Sequence, residues 1–180
     1  MRDGRLTRRG ALRMAGAAGV AALGGSIAGG LLWPRPVRAG EAPADGLQAA
    51  LAESNLIYVT PLHRDGREST CQAEVWFVAD GTDAYVVTAS DAWRARAAKN
   101  GLTRARVWVG DVGVWSDSAG AYRKLPRMDA EVAVIEDPAE HARVLEVFGD
   151  KYSLEWFIWG PRFRNGLADG SRTMLRYRPV

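Results

Sequence analysis

The chain is poor in the side chains that form disulfides and metal sites. It has one cysteine, Cys71, and two histidines, His63 and His141, which lie far apart. A single cysteine excludes an internal disulfide, and this set of residues offers no cluster of metal ligands. The alternation of strands and helices and the glycine fingerprint of a dinucleotide-binding domain are also missing. A disulfide scaffold, a metal centre and a Rossmann domain are therefore not expected.

Acidic residues are nearly absent from the first 39 positions, which contain Asp3 and seven arginines. The whole chain has a formal net charge of +3, but residues 40–180 contain 17 basic and 20 acidic residues, a net charge of −3. The basic character belongs to the leading segment. It does not indicate a nucleic-acid partner.

The leading segment has the three parts of an export signal. Arg8 and Arg9 stand in a basic region, an apolar run over 14–33 follows, and Val37-Arg38-Ala39 has the small-x-small pattern of a cleavage site. The arginine pair resembles a twin-arginine signal. We therefore expect residues 1–39 to be a cleaved signal peptide and the mature protein to begin at Gly40.

An ordinary secretory signal and a membrane anchor are the alternatives. Six glycines in the apolar run weaken its partition into lipid, which favours cleavage, although Ala11 stands where the twin-arginine pattern usually has phenylalanine. No cysteine follows Ala39, so a lipoprotein is not expected. The prediction is an exported protein, periplasmic or secreted, with no stable membrane anchor after cleavage. Its partner would be the twin-arginine machinery, which exports folded proteins, often with a cofactor inside.

Residues 40–46 are typical of a flexible spacer, and 47–180 have the length of one domain. Asp65-Gly66 and Asp80-Gly81 are turn signals between β-rich runs, which indicates antiparallel strands. The fold class predicted is mainly β (α+β), a six-stranded antiparallel barrel or sandwich with short flanking helices. The expected strands cover 56–60, 68–79, 84–88, 104–109, 128–135 and 172–178. The expected helices cover 47–54, 92–100 and a segment that opens at Asp137-Pro138 and ends at Gly149.

The densest group of chemically useful side chains lies between the third strand and the helix after it. Thr88 and Ser90 end the strand, and Arg94 and Arg96 follow in the first turns of the helix. Hydroxyl donors, guanidinium groups and free helix N–H groups suit a phosphate monoester. The alternative is a plain helix capped by Ser90 or Asp91, with solvated arginines.

Several short motifs in this region resemble those of the pyridoxamine 5′-phosphate oxidase-like superfamily of FMN-binding split β-barrels. The resemblance covers roughly residues 50–110 and is moderately specific. It rests on Asp65-Gly66, Glu74-Val75-Trp76-Phe77-Val78-Ala79-Asp80-Gly81, Tyr85-Val86-Val87-Thr88 and Asp91-x-Trp93-Arg94-x-Arg96.

The resemblance implies where an FMN would bind. The phosphate would be held by Thr88, Ser90 and Arg94, with Arg96 as a second cation. Arg94 replaces a lysine that is usual in the family, and Ala97 replaces an asparagine found in many members. The strand would flank the isoalloxazine ring through backbone groups and packing. The cofactor-binding residues predicted in this way are Val75, Trp76, Phe77, Thr88, Ser90, Trp93, Arg94 and Arg96.

The resemblance also implies a homodimer with the cofactor at its interface. Trp156, Trp159 and Arg162 would come from the partner chain, or the tryptophans would pack in the core or the interface. The predicted function is an exported FMN-dependent oxidoreductase that acts on a small-molecule substrate. The sequence identifies neither the substrate nor a catalytic side chain. The alternative is a non-enzymatic exported split-barrel module with a vestigial pocket, or one for a deazaflavin or haem.

Overall fold

The computed structural model describes residues 44–180. The predicted signal peptide and residues 40–43 of the predicted spacer lie outside the described residues. Helix α1 spans Ala44–Glu53, so it begins three residues before the helix expected from the sequence. The barrel and the clusters of buried side chains described below lie within 44–180.

The described part of the chain folds into one antiparallel sheet with helices packed around it. The sheet order is β2-β1-β5-β6-β7-β4-β3. The strands are β1 Leu56–Pro61, β2 Ala73–Trp76, β3 Val78–Asp80, β4 Asp83–Ala89, β5 Arg104–Val109, β6 Arg127–Ile135 and β7 Arg172–Pro179. The other helices are α2 Trp93–Lys99, α3 Pro138–Lys151 and α4 Trp156–Ala168.

The sheet closes into a nearly complete barrel because its two edge strands are neighbours in the chain. The single strand expected over 68–79 is broken at Phe77 into β2 and β3, which pair with β1 on one side and β4 on the other. The predicted antiparallel barrel is confirmed, with seven strands instead of six. The turn at Gly81, which has a φ of +61°, joins β3 directly to β4.

Buried side chains fall into three clusters. Alternate residues of the strands fill the barrel interior, among them Ile57, Val86 and Leu175. The opposite face of β4 and β7 packs under α3 and α4 through Val87, Met174 and other apolar side chains. A smaller cluster of Tyr58, Trp108 and Tyr122 lies outside the barrel beside a 3-10 turn at residues 121–124.

Helices α2, α3 and α4 also differ from the sequence-based expectation. The N-cap of α2 is Ala92, whose side chain makes no capping bond, so the predicted Ser90 or Asp91 cap is wrong. Helix α3 begins as predicted, with Asp137 accepting a bond from the Ala139 N–H at 3.0 Å, but it continues through Gly149 to Lys151. Helix α4 is not among the helices expected from the sequence, and it forms although its segment contains Gly160-Pro161, a turn signal.

Candidate functional site

An apolar slot lies between the outer face of the barrel and α4. Its walls are formed by β2, β4, α4 and the first residue of β7, and its volume is about 170 Å³. The side chains that line it are Val75, Trp76, Val87, Trp159, Phe163 and Arg172. Two of the predicted cofactor residues, Val75 and Trp76, therefore share a cavity with residues more than eighty positions further along the chain.

Aromatic rings give the slot its shape. The ring of Trp76 stacks on Tyr152 with centroids 4.8 Å apart and meets Trp159 edge-on at 6.0 Å. The Arg172 guanidinium lies 5.1 Å from the Phe163 ring centroid and 5.9 Å from that of Trp159. Flat rings and one cation suit a planar, electron-poor ligand with a negative charge.

A close contact between α4 and β7 holds Arg172 in this position. A Cβ atom at Gly166 would lie 2.6 Å from Cγ of Arg172, far inside van der Waals contact. The absence of a side chain at Gly166 therefore lets the Arg172 stem cross the helix surface.

Phe77 does not belong to this slot. Its ring is fully buried in the barrel interior. Its N–H donates to the Tyr152 hydroxyl at 3.2 Å, and its carbonyl oxygen lies 2.9 Å from that hydroxyl and accepts from Lys151 Nζ at 3.1 Å. The prediction that the backbone of Phe77 flanks a ring is not supported by this geometry, because both of its polar groups already have partners.

Thr88 and Arg94 contain polar atoms that the protein leaves without partners. The Thr88 side chain is 2% exposed, and its Oγ1 has no hydrogen-bond partner within residues 44–180. Arg94 is half-buried, and its Nε is equally buried and unpartnered in the same range. Burial raises the pKa of the Cys71 thiol and of the Tyr177 hydroxyl, and the Arg94 guanidinium lowers the pKa of both. Arg94 therefore lies near these two side chains and is not the solvated arginine of the alternative interpretation.

Ser90, Trp93 and Arg96 are placed differently from the predicted site. The Ser90 hydroxyl donates to the Gly170 carbonyl at 2.7 Å and lies 2.7 Å from Thr173 Oγ1, so it ties β4 to β7. Trp93 is 39% exposed, and the Arg96 guanidinium lies 5.8 Å from its ring centroid on the surface of α2. None of the three lines the slot.

Three slot residues, Val87, Phe163 and Arg172, are not among those predicted from the sequence. Val87 alternates with the inward-facing Val86 and Thr88 on β4, and this alternation could have assigned it to the outer face. The spacing of Trp159 and Phe163, four residues apart, was a helical signal that the Gly160-Pro161 pair concealed. No local signal marks Arg172.

Acidic side chains near the barrel surface are held by arginines. Asp83 accepts bidentate hydrogen bonds from Arg178, of which the shortest joins Arg178 Nη2 and Asp83 Oδ2 at 2.8 Å. Burial raises the pKa of Glu68, but bonds from Arg123 and Arg106 outweigh it, so the net shift is downward. His141 Nε2 lies 2.8 Å from the Ile135 carbonyl oxygen. Within the part of the chain that the structure describes, no carboxylate or histidine lines the slot.

Two larger cavities, of about 550 and 580 Å³, contain none of the predicted cofactor residues. One lies between α3 and α4 and includes His141 and Arg164. The other lies beside the turn at Gly66 and includes His63 and Arg104. The first is lined mainly by apolar side chains such as Leu145 and Leu167, and the second mainly by polar and charged ones. Because neither contains a predicted cofactor residue, we assign neither to the cofactor.

No protein-family profile and no curated protein sequence matches the chain. Several solved structures match it in fold. A candidate pyridoxamine 5′-phosphate oxidase from Listeria innocua superposes with a TM-score of 0.50 at 15% identity, over 75% of this chain and 91% of that one. HutZ, the heme storage protein of Vibrio cholerae, gives a TM-score of 0.53 at 16% identity, over 76% and 89%. Rv2991, a conserved protein of Mycobacterium tuberculosis, gives 0.54 at 12% identity, over 79% and 84%.

The protein has the split-barrel fold. This is the fold that the sequence resemblance implied, and the agreement extends over most of each compared chain. At these identities the similarity establishes architecture, and function must be argued from the site.

Proposed function

We propose that the protein is an exported FMN-binding redox protein whose isoalloxazine ring lies in the slot. The observation that carries the proposal is the meeting of Val75 and Trp76, predicted as ring-flanking residues, with Trp159, Phe163 and Arg172 in one cavity. The slot is smaller than the several hundred cubic ångströms of typical ligand pockets. A bound ring would therefore remain partly uncovered by one chain, and we propose a homodimer in which the second copy completes the site.

We propose Thr88 and Arg94 as the phosphate ligands. The Thr88 side chain lies on the face of β4 opposite to Val87, so an FMN whose ring is in the slot would pass the end of β4 to reach them. Both have a buried polar atom without a protein partner, and such atoms cost free energy unless a ligand or water satisfies them. We do not assign phosphate binding to Ser90, because its hydroxyl already hydrogen-bonds the Gly170 carbonyl and Thr173 Oγ1. Bound FMN would supply the redox chemistry itself. The chain's own residues bind and orient the group and keep water from one face of it.

The side chains that line the slot suit haem less well than they suit FMN. The shared fold with HutZ raises the possibility, but haem iron needs an axial histidine, cysteine, methionine or tyrosine. None of the six lining residues is of these types. Tyr152 lies beside Trp76, but its hydroxyl is bound to backbone groups of Asn55 and Phe77.

The second candidate function is the non-enzymatic exported module with the same barrel and a different ligand. The absence of an acid or base in the slot favours neither candidate, because flavin chemistry requires no protein nucleophile. The two are separated by identifying the small molecule that the purified protein carries. Mass spectrometry of material released on denaturation detects FMN, a deazaflavin or haem directly.

The slot itself is tested by titrating FMN into the chain that starts at Gly40 and following flavin fluorescence. Trp159→Ala should weaken the binding of FMN and riboflavin by similar factors, about tenfold, because it removes ring contacts and leaves the phosphate site unchanged. Trp93→Ala, on the surface of α2, is the matched control and should leave both affinities unchanged. Loss of affinity in Trp93→Ala without loss in Trp159→Ala would locate the ring at α2 and refute the slot. Light scattering of the FMN-loaded protein tests the dimer, and a monomer mass would contradict it.

A further inference from the structure

The turn between α3 and α4 carries a group of large apolar side chains that the fold does not use. Leu154 is 81% exposed, Phe157 is 85% exposed and Ile158 is 60% exposed. We call these three residues the apolar tip. The other exposed large apolar residues among those described lie elsewhere in the sequence, and each is less exposed than Leu154 and Phe157; they are Trp93, Val112, Val114 and Val180.

The exposure of the tip follows from the direction in which α4 packs. Gly160 and Phe163 are buried, and Trp159 is partly buried against the α3–α4 core cluster. Because successive residues of a helix are rotated by about 100°, Phe157 and Ile158 fall on the opposite face. Burial of one face of α4 thus leaves two consecutive large apolar residues exposed in its first turn.

Positive charge follows the tip along the same helix. Helix α4 contains no acidic residue, and its two charged residues are Arg162 and Arg164, both exposed. Each guanidinium lies over a tryptophan ring of α4, that of Arg162 at 5.0 Å from Trp159 and that of Arg164 at 5.6 Å from Trp156. With a rise of about 1.5 Å per residue, these arginines lie about 6–10 Å along the axis from the tip.

We propose that α4 docks the protein on an anionic lipid surface, with the apolar tip in the interfacial region and Arg162 and Arg164 at the headgroups. The spacing between tip and arginines matches the depth of about 5–10 Å to which interfacial helices insert. Aromatic rings beside basic side chains are the composition of such helices. Glu155 is the one acidic residue between 154 and 168, and it opposes the attraction.

A second copy of the chain fits this surface less well than lipid does. Three side chains at a turn expose a few hundred Å² of apolar surface, whereas a stable dimer buries about 800 Å² on each partner. Their position at a helix–helix turn suits insertion into a soft surface. Among residues 44–180 no helix is long and apolar enough to cross a bilayer.

The test uses the chain that starts at Gly40 and sedimentation with vesicles of phosphatidylcholine alone or mixed equally with phosphatidylglycerol. We expect binding to the mixed vesicles and much weaker binding to the neutral ones. Phe157→Ser should lower the partition coefficient on mixed vesicles about tenfold or more, because a buried aromatic side chain is lost. Arg162→Gln and Arg164→Gln should each lower it about fivefold, and Glu155→Gln should raise it.

Val114→Ser is the matched control, since Val114 is 49% exposed on a loop remote in sequence from the tip. It should leave vesicle binding unchanged, and circular dichroism should show that all variants remain folded. Failure of the parent chain to bind mixed vesicles, or equal binding to neutral vesicles, would overturn the proposal. A dimer that Phe157→Ser converts to a monomer in sedimentation velocity would instead make the tip a subunit interface, which also overturns it.

Discussion

The hydroxyl of Tyr152 bridges the two polar backbone groups of Phe77 at the point where the barrel closes. It accepts from the Phe77 N–H at 3.2 Å, donates to the Asn55 carbonyl at 2.7 Å and lies 2.9 Å from the Phe77 carbonyl. Phe77 stands between β2 and β3, where neither strand can supply ladder bonds. Two side chains at the end of α3 therefore satisfy the backbone at the seam of the barrel, Tyr152 at the Phe77 N–H and Lys151 at the Phe77 carbonyl.

Tyr152→Phe should destabilise the protein by about 1–3 kcal/mol. The ring and its stacking on Trp76 remain, but the Phe77 N–H and the Asn55 carbonyl lose their buried partner. Urea denaturation followed by tryptophan fluorescence measures the change. Tyr85→Phe is the control, because its hydroxyl bonds the partly exposed Glu140 at 2.9 Å, which water can reach. A loss for Tyr152→Phe no larger than for Tyr85→Phe would show that the seam does not depend on this hydroxyl.

The stability of the protein should rise with pH through the titration of Lys151. Its ammonium group packs 3.9 Å from the Phe77 ring centroid, and burial lowers its pKa from 10.5 to about 8. Between these values the unfolded chain binds more protons than the folded one, so the free energy of unfolding increases with pH. Below about pH 8 both states are protonated, and the full cost of the buried charge remains.

Lys151→Met, which keeps an unbranched stem against Phe77, removes this titration. Urea titrations give the free energy of unfolding of the parent and of Lys151→Met at each pH. The parent's value should gain on that of the variant between about pH 8 and pH 10. The variant Lys99→Met, which removes an exposed lysine of α2, is measured beside it as the control. A flat difference for Lys151→Met would mean that the lysine titrates as it does in water.

Arg94→Ala should weaken FMN binding about ten- to a hundredfold and riboflavin binding far less, since riboflavin lacks the phosphate. Arg96→Ala is the control on the exposed side of the same helix and should change FMN affinity much less. Fluorescence titration of both ligands into each variant measures the effect. Because Arg94 is half-buried, we also expect Arg94→Ala to reduce stability, so the fold must be checked by circular dichroism. Equal losses for FMN and riboflavin would refute phosphate recognition by Arg94.

Arg8→Lys combined with Arg9→Lys should block export of the full-length chain while leaving its charge unchanged, because the twin-arginine machinery recognises the pair itself. Fractionation of cells that express each form measures the exported share of the protein. Normal export of the double variant would indicate the ordinary secretory route. N-terminal sequencing of the exported protein should begin at Gly40.

Local signals in the sequence determined where the strands and the start of α3 lie. Alternation of polarity marks the strands at 104–109 and 172–178, and β-rich runs between turn signals mark the others. The turn at Gly81 joins β3 to β4, and the Asp137 side chain caps α3. Each of these features depends on residues close together in the chain, so the sequence alone predicts an antiparallel barrel. It could also predict Val75, Trp76, Thr88 and Arg94 as candidate site residues.

Contacts between residues far apart in the chain determined the features that the sequence alone did not predict. The break at Phe77 depends on Tyr152, 75 positions away, and the role of Ser90 depends on Gly170, 80 positions away. A Cβ atom at Gly149 would lie 2.9 Å from Trp156 Nε1, so this glycine makes room for an indole ring and does not end a helix. Helix α4 forms despite Gly160-Pro161 because its aromatic face is buried against α3 and the sheet. The slot consists of side chains that only the folded chain brings together, and no short-range pattern encodes that proximity.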